Sequence, residues 1–401
     1  MGLIGAGGMG RANLTGRAHR GEPGFLIQRD VQVVAVCDVD ERRVAAARRI
    51  VNDHYGSQDC AVYKDFRELA ERGDIDAVII ATPDHWHALN ALAAVRAGKD
   101  VYCEKPLTHT HEEGVAVVNA VHDSGVVWQT GAQQRSDYEH WHFRRAVELV
   151  RNAVIGRLKH VETGLPVFQP ESPEPSPQEP PNHLDYDLYC GPADKIPYDP
   201  GIVHGRWRWR LNFGGGALMD WINHHYDIAH WGMDMDDSGP IEVEAHGQFP
   251  PSGALYDTPF HFTVNCLYPN GVTASISDDH PRGVKFIGSD GWIYVNRNTL
   301  DASDPAWTAL DFDPGPIRVY HSPDHRRNFL DCVRNREEPI CPPEVSHRTC
   351  TPGFLAYASM LTGRKILWNP AREQIINDSE AERQPLMKFE PRGEWSLNEE
   401  E

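Results

Sequence analysis

Through the first third of the chain, short apolar runs alternate with longer polar or amphipathic stretches, a pattern that predicts strand and helix in turn. Leu3-Ile4, Val31 to Cys37 ("VQVVAVC"), Ala77 to Ala81, Val101-Tyr102-Cys103 and Val126-Val127-Trp128 read as buried strands. Helices are expected to start near Met9, to run from Arg42 to His54, and to run from Asp84, as N-cap, through Ala97. The Tyr63-Lys64-Asp65-Phe66 segment and a short helix lie between the last two. Such alternation calls for a parallel sheet covered by helices on both faces.

After Trp128 the pattern changes. "TGAQQR" reads as a crossover, and Leu165 to Pro181 is too proline-rich for a helix or a central strand, so an extended loop, an oligomer arm or a lid is expected there. "FHFTVNCLY", "VTASIS", "VKFIG" and "GWIYVN" are short strands separated by turn residues, which suits an antiparallel sheet. From Asp324 the chain returns to helix ("HRRNFLDCVRN", "TPGFLAYASMLTGRK"), and Glu399-Glu400-Glu401 reads as a solvated terminus. The fold class is α/β, with a first domain over 1–131 built on a parallel sheet and a second α/β domain over 132–401 whose sheet is mostly antiparallel.

Composition narrows the partners. The 401 residues carry a formal net charge of −19, which repels phosphate backbones and anionic membrane surfaces. No window approaches the roughly 20 apolar residues of a membrane span. The eight cysteines are scattered without CxxC or histidine-spaced pairs, suggesting neither a zinc site nor a disulfide framework and fitting a reducing cytoplasm. Only Met1 to Ile4 precede the first turn glycine, fewer than the usual five or six strand residues, so a shortened start, and with it an exported form, stays open.

Gly5-Ala6-Gly7-Gly8-Met9-Gly10 is G-x-G-x-x-G between the first strand and its helix. The pattern provides a tight turn at Gly5, close pyrophosphate approach at Gly7 and helix–strand packing at Gly10, making Gly5, Gly7, Gly8, Met9 and Gly10 candidate cofactor contacts. The second strand ends at Asp38, where an acid would bond ribose hydroxyls and repel a 2′-phosphate, favouring NAD over NADP, although Arg42 and Arg43 follow closely. Asp38 lies further from Gly10 than the roughly 20 positions of the general rule, and the insert "HRGEPGF" (His19 to Phe25) accounts for the excess. In a doubly wound sheet ligands collect at carboxyl strand ends, which is where Thr82, Pro83, His85, His87 and the run Glu104-Lys105-Pro106 fall. Lys105 there could polarise a substrate oxygen or exchange its proton.

In order along the chain, "GLIGAGGMG", "ATPDHWH", "CEKP", "GAQQR" and "GGGALMDWINHHYDIAHW" resemble the glucose-fructose oxidoreductase and inositol dehydrogenase family, often written Gfo/Idh/MocA, from Gly2 to about Trp368. The resemblance implies an N-terminal Rossmann domain, a C-terminal α/β domain whose open sheet often serves as an oligomer interface (a dimer or tetramer), and a nicotinamide cofactor, commonly held tightly, acting on a sugar, cyclitol or related polyol. By the same resemblance Lys105 lies beside nicotinamide and substrate, Asp220 and His224 complete the catalytic group, His87 and Glu104 lie near the cofactor, and Gln134 and Arg135 form an interdomain pair touching cofactor and substrate respectively. Ile222 stands where the family often has glycine.

The residues alone give a compatible chemistry. Asp220, His224 and Asp227 are spaced four and three apart and would share one helix face, continued by Trp231. A neutral imidazole at His224 suits the base that takes a carbinol proton, Asp220 could orient it or bond a substrate hydroxyl, and Lys105 would stabilise the developing alkoxide. Asp220, His224, His225 and Asp227 are also metal-compatible, but no further ligand is specified and hydride transfer to nicotinamide needs none, so no metal is expected. In "VHGRWRWRLNFGGG", Trp207 or Trp209 could stack on a sugar face and Arg208 could bind a hydroxyl or carboxylate, while the alternation equally suits a half-buried segment. The expected activity is that of an NAD-dependent oxidoreductase for a sugar, glycoside or cyclitol. The alternative is a redox-neutral glycosidase that oxidises, eliminates and reduces again, and a nonenzymatic NAD sensor would be expected to have lost part of the lysine, aspartate and histidine set.

Overall fold

The computed structural model describes residues 1–17, 22–137 and 141–398, so part of the His19–Phe25 insert and the Glu399–Glu401 terminus lie outside the described residues. The first sheet has six strands, β1 (Gly2–Ile4), β2 (Ala35–Cys37), β3 (Ala61–Tyr63), β4 (Ala77–Ile80), β5 (Asp100–Cys103) and β6 (Trp128–Thr130), all parallel and ordered β3-β2-β1-β4-β5-β6. This is the doubly wound order whose crevice for dinucleotides opens where the winding reverses, beside β1. The connecting helices are α1 (Gly8–Thr15), α2 (Glu41–Tyr55), α3 (Phe66–Ala70), α4 (His87–Arg96) and α5 (His111–Ser124). Their starts are written in short polar residues: Asp40 accepts from the Arg42 and Arg43 amides, and Thr110 and Glu113 form a reciprocal capping box.

Three expectations shift. The second strand is confined to Ala35–Cys37, and the sixth starts at Trp128 because the Val127 amide donates to the Asp100 side chain at 2.7 Å. Asp84 does not cap α4. It sits in a 3₁₀ turn (Asp84–Trp86), and no side chain caps the helix.

The rest of the chain supplies α6 (Trp141–Arg151), α7 (Tyr186–Cys190), α8 (Gly216–Trp221), α9 (Asp227–Met233), α10 (His325–Asn335) and α11 (Pro343–Thr362). Its nine strands are β7 (Leu158–Gly164), β8 (Glu242–Gln248), β9 (His261–Leu267), β10 (Thr273–Ser277), β11 (Gly283–Gly288), β12 (Trp292–Val295), β13 (Leu300–Ala302), β14 (Ile366–Asn369) and β15 (Gln374–Ile375), ordered β13-β12-β11-β7-β10-β9-β8-β14-β15. All neighbours are antiparallel except β7 and β10. In β9, Phe262, Val264 and Cys266 face the core while His261 and Asn265 face out, so one face is covered and the other open. Helix α11 packs on both β8 and α5 and so joins the two sheets' layers. Residues 165–181 form neither helix nor strand.

Candidate functional site

A cleft of about 610 Å³ runs from the turn after β1 to α8. Gly5, Gly7, Gly8, Met9 and Asp38 line one end, as the glycine pattern predicts. Gly5 has φ +90, and a Cβ there would meet the Ala81 carbonyl carbon at 2.6 Å, so only glycine makes this turn. Gly10 does not line the cleft. A Cβ at Gly10 would stand 1.9 Å from the Gly5 carbonyl oxygen, so its work is to let α1 approach the strand. Asp38 accepts from the Ala6 amide at 2.7 Å and from the Asp40 amide at 2.9 Å, tying the end of β2 to the glycine turn. The guanidinium of Arg43 reaches the same turn, within 2.8 Å of where a Gly7 Cβ would be.

Thr82, Pro83, Glu104, Lys105 and Gln134 line the middle of the cleft. His87 does not. Its two ring nitrogens lie 2.8 and 3.0 Å from the carbonyl oxygens of Pro106 and Thr82, so the ring is held between the two strand-end loops, its single N–H donating to one of them, rather than lining the cleft. Burial drives its pKa down to about 4, which keeps it neutral in that role. Glu104 is buried, accepting from the Asn13 amide nitrogen at 2.9 Å.

At the far end, Lys105 Nζ donates to the main-chain oxygen of Asp220 at 2.7 Å and to its carboxylate at 2.9 Å, and Arg208 Nε donates to the same carboxylate oxygen at 2.8 Å. Burial opposes ionisation of Asp220, but Lys105 and Arg208 outweigh it and hold the carboxyl below its ordinary range. Asp220 is therefore an anchor for cations and not a proton carrier near neutral pH. Trp207 also lines the cleft, under the Arg208 guanidinium at 4.4 Å, whereas the buried Trp209 lies outside it.

The helix carrying Asp220 is not continuous. Residues Ile222–Tyr226 form a π turn between α8 and α9, with Asn223 at φ −75, ψ 16. Ile222, fully buried, fills the position where glycine was expected and packs toward Gly353. The extra residue in the turn leaves Asp220 and His224 facing the cleft while Asp227 points into the core, so the single face predicted for all three does not exist. Asp227 is the bidentate partner of Arg135, at 2.8 and 2.9 Å, and Arg135 also reaches Asp236 at 2.7 Å and lies over the Trp231 ring. Arg135 is thus committed to a buried ion-pair cluster and does not line the cleft.

His224 lines the cleft, its main-chain oxygen accepting from Gln134 Nε2 at 2.9 Å and its ring edge-on to Trp221. Burial first, then the charges of Lys105 and Arg297, push its pKa well below 6.5, and its Nδ1 has no hydrogen-bond partner among the described residues. That Nδ1 is itself buried, so exchange with a ligand in the cleft would use Nε2: a neutral imidazole beside an ammonium can take a proton from a hydroxyl that the ammonium polarises. Sequence reasoning missed Asp84, Tyr189, His204 and Arg297, which also line the cleft. Asp84 was assigned to a cap, and nothing in the local pattern around the other three marks them.

The glycine turn, an acid at the end of β2 and an anion-free first turn of α1 fit a dinucleotide. Residues 1–132 match the oxidoreductase family with an NAD-binding Rossmann fold, and residues 171–397 match that family's C-terminal alpha/beta domain. The chain belongs to the Gfo/Idh/MocA oxidoreductase family. Among Gfo/Idh/MocA proteins it is similar to inositol 2-dehydrogenase 2 of Saccharopolyspora erythraea, 35% identical over 144 residues, covering 35% of this chain and 41% of that one. It is also similar to levoglucosan dehydrogenase of Pseudarthrobacter phenanthrenivorans, 38% identical over 131 residues, 32% of this chain and 31% of that one. These matches thus span well under half of either relative's length. The fold is that of the WlbA dehydrogenase from Bordetella pertussis solved with NADH and UDP-GlcNAcA, with a TM-score of 0.64 at 19% identity over 92% of this chain and 98% of that one. No helix among the described residues is long and apolar enough to cross a membrane.

Proposed function

We propose that this family member is an NAD(H)-dependent oxidoreductase moving a hydride between nicotinamide and a hydroxyl or carbonyl of a sugar, glycoside or cyclitol. The observation that carries the reading is Lys105, held by Asp220 at 2.9 Å beside His224, in one cleft with the glycine turn and Asp38. Gly7 and Gly8 would admit the pyrophosphate, Asp38 the ribose hydroxyls, and Thr82, Pro83, Glu104 and Gln134 would flank the nicotinamide half. NAD is preferred over NADP because Asp38 would face a 2′-phosphate, while Arg43 is directed to the glycine turn, where a pyrophosphate would lie. Nicotinamide, when bound, supplies the two-electron acceptor or donor.

The chain's own groups do the rest. Lys105 donates a hydrogen bond to the reacting oxygen and stabilises charge that develops there. His224 accepts the hydroxyl proton as the carbonyl forms, and returns it in the reverse direction. Asp220 fixes Lys105 and Arg208 so that neither must reorganise. Similarity to an inositol 2-dehydrogenase and a levoglucosan dehydrogenase supports a polyhydroxylated substrate, and Trp207 with Arg208 offers a ring face and a hydroxyl or carboxylate partner for it.

The test is mass-resolved product analysis with NAD and a panel of sugars, cyclitols and glycosides, following reduced cofactor by absorbance. Reduced cofactor in step with a product two hydrogens lighter is expected. Released aglycone without net reduction would replace this reading with redox-assisted glycosidic cleavage, and no turnover of any panel member would overturn both.

A further inference from the structure

Outside the cleft, three metal-compatible side chains from separate segments converge at the junction between α5 and the C-terminal elements: His111 opens α5, His347 lies in α11, and Glu373 follows β14. The Nε2 atoms of both imidazoles approach one carboxylate oxygen, Glu373 Oε2, at 2.7 Å from His347 and 3.6 Å from His111. We infer that His111, His347 and Glu373 form a binding site for a divalent transition metal of the zinc type, joining α5 to the C-terminal elements.

Four observations carry it. His111 is 6% exposed, and its Nε2 has no hydrogen-bond partner among the described residues, an arrangement that costs free energy unless something else binds there. Ligands on a tetrahedral ion at about 2.0–2.1 Å stand about 3.3 Å apart, and the two separations to Oε2 bracket that value. Glu373 has φ +53, a strained conformation for a residue with a side chain, which is the kind of distortion retained where a side chain must be aimed. Its other oxygen, Oε1, is occupied by Arg348 Nη2 at 2.6 Å, leaving Oε2 as a single ligand oxygen.

The chemistry balances without a further reactant. His347 Nε2 gives up the proton it shares with Glu373, and the ring carries its proton instead on Nδ1, which is buried without a hydrogen-bond partner and faces the space left by Gly114. His111 binds through an already free Nε2. Two imidazoles and one carboxylate select zinc or cobalt over calcium or magnesium, which prefer oxygen ligands. Glu373, the most exposed of the three at 20% of its side chain, is the side of entry and of a fourth, solvent ligand. The neighbouring Arg348 lowers affinity relative to an all-anionic site but stays outside the ligand set.

The test is titration of the full chain, stripped with chelator, with Co²⁺ followed by visible absorption, and X-ray absorption of the one-to-one complex. One saturable equivalent with nitrogen and oxygen ligands is expected. His111→Asn and Glu373→Gln should each weaken Co²⁺ at least about tenfold, the smallest cost of losing even an outer-shell partner. Circular dichroism checks that each variant is folded. Should Glu373→Gln fail to fold, His111→Asn, which loses no hydrogen bond at Nε2, carries the decision. His261→Asn, at an exposed cluster with Asp278 and Asp279, should leave that equivalent intact. Absence of a saturable equivalent, sulfur ligation, or loss that tracks His261 rather than His111 would each overturn the inference.

Discussion

Two aspartates seven residues apart, Asp220 and Asp227, end in two ion-pair clusters that use the same residue types for opposite ends. In the core, Asp227 takes Nε and Nη2 of Arg135, and Asp236 takes Nη1 and the second Nη2 hydrogen. Thr349 Oγ1 adds a hydrogen bond at 3.1 Å, and the cluster is closed. In the cleft, Asp220 holds Lys105 and Arg208 through one carboxylate oxygen, and Lys105 keeps donor capacity pointed at open space. The π turn between the two aspartates is what separates them. A charged cluster enclosed in the core, its cation and carboxylates paired with one another, supports the fold, and one with a donor directed into the cleft is available for chemistry.

Exchanging the roles should therefore fail in both directions. Lys105→Ala and His224→Ala are each expected to lower kcat about 10²–10⁴-fold, the usual cost of removing an acid or base group, with little change in the unfolding midpoint. Turnover within a few fold of the parent in both variants would remove the cleft cluster from the mechanism. Arg135→Met should do the reverse, destabilising the chain by about 3–5 kcal/mol because Asp227 is left charged and unpaired in the core. Denaturant unfolding checks this, and an unchanged midpoint would mean that the buried cluster is not the closed unit its geometry describes. A smaller loss is expected for Asp38→Ala: weaker NAD binding by about 1.5–3 kcal/mol, the range for a hydrogen bond to a charged group, with kcat at saturating NAD nearly kept. Calorimetric titration would show it, and unchanged affinity would count against Asp38 as the ribose partner.

How legible these two clusters were depends on how local their causes are. The parallel sheet, the glycine turn and Asp38 at the end of β2 follow from short apolar runs and a turn that only glycine makes, signals contained within a dozen residues. Lys105 was legible for the same reason, as a residue at a carboxyl strand end. Arg135 and Asp227 were misassigned because a π turn has no sequence signature that spacing can reveal, and because burial of a charged pair is decided by segments 92 positions apart. His87 looked like a ligand contact by position and lies instead buried between two strand-end loops, since the carbonyl oxygens it faces are set by tertiary geometry. The strands β7 and β8, "LKHVETG" and "EVEAHGQ", were not read as strands at all. Their outward faces carry lysine, glutamate and histidine, so only neighbouring strands reveal them.

The finest distinction between the clusters is the protonation of His224. Its pKa is lowered by burial first and then by the positive charges of Lys105 and Arg297, so the folded value lies below the 6.5 of a free imidazole. A base must be neutral to act, and lowering its pKa extends the neutral form toward acid. The acid limb of kcat/KM should therefore fall below pH 6.5. An unshifted imidazole would lose about tenfold at pH 5.5 through protonation alone, whereas initial rates here should lose less than that. Replacing Arg297 by glutamine removes one of the two named charges but leaves burial, the larger cause, in place. The limb should move upward and stop short of 6.5. A limb at 6.5 in the parent, or one indifferent to both Arg297→Gln and His224→Ala in the residual rate, would assign the titrating base to another group in the cleft.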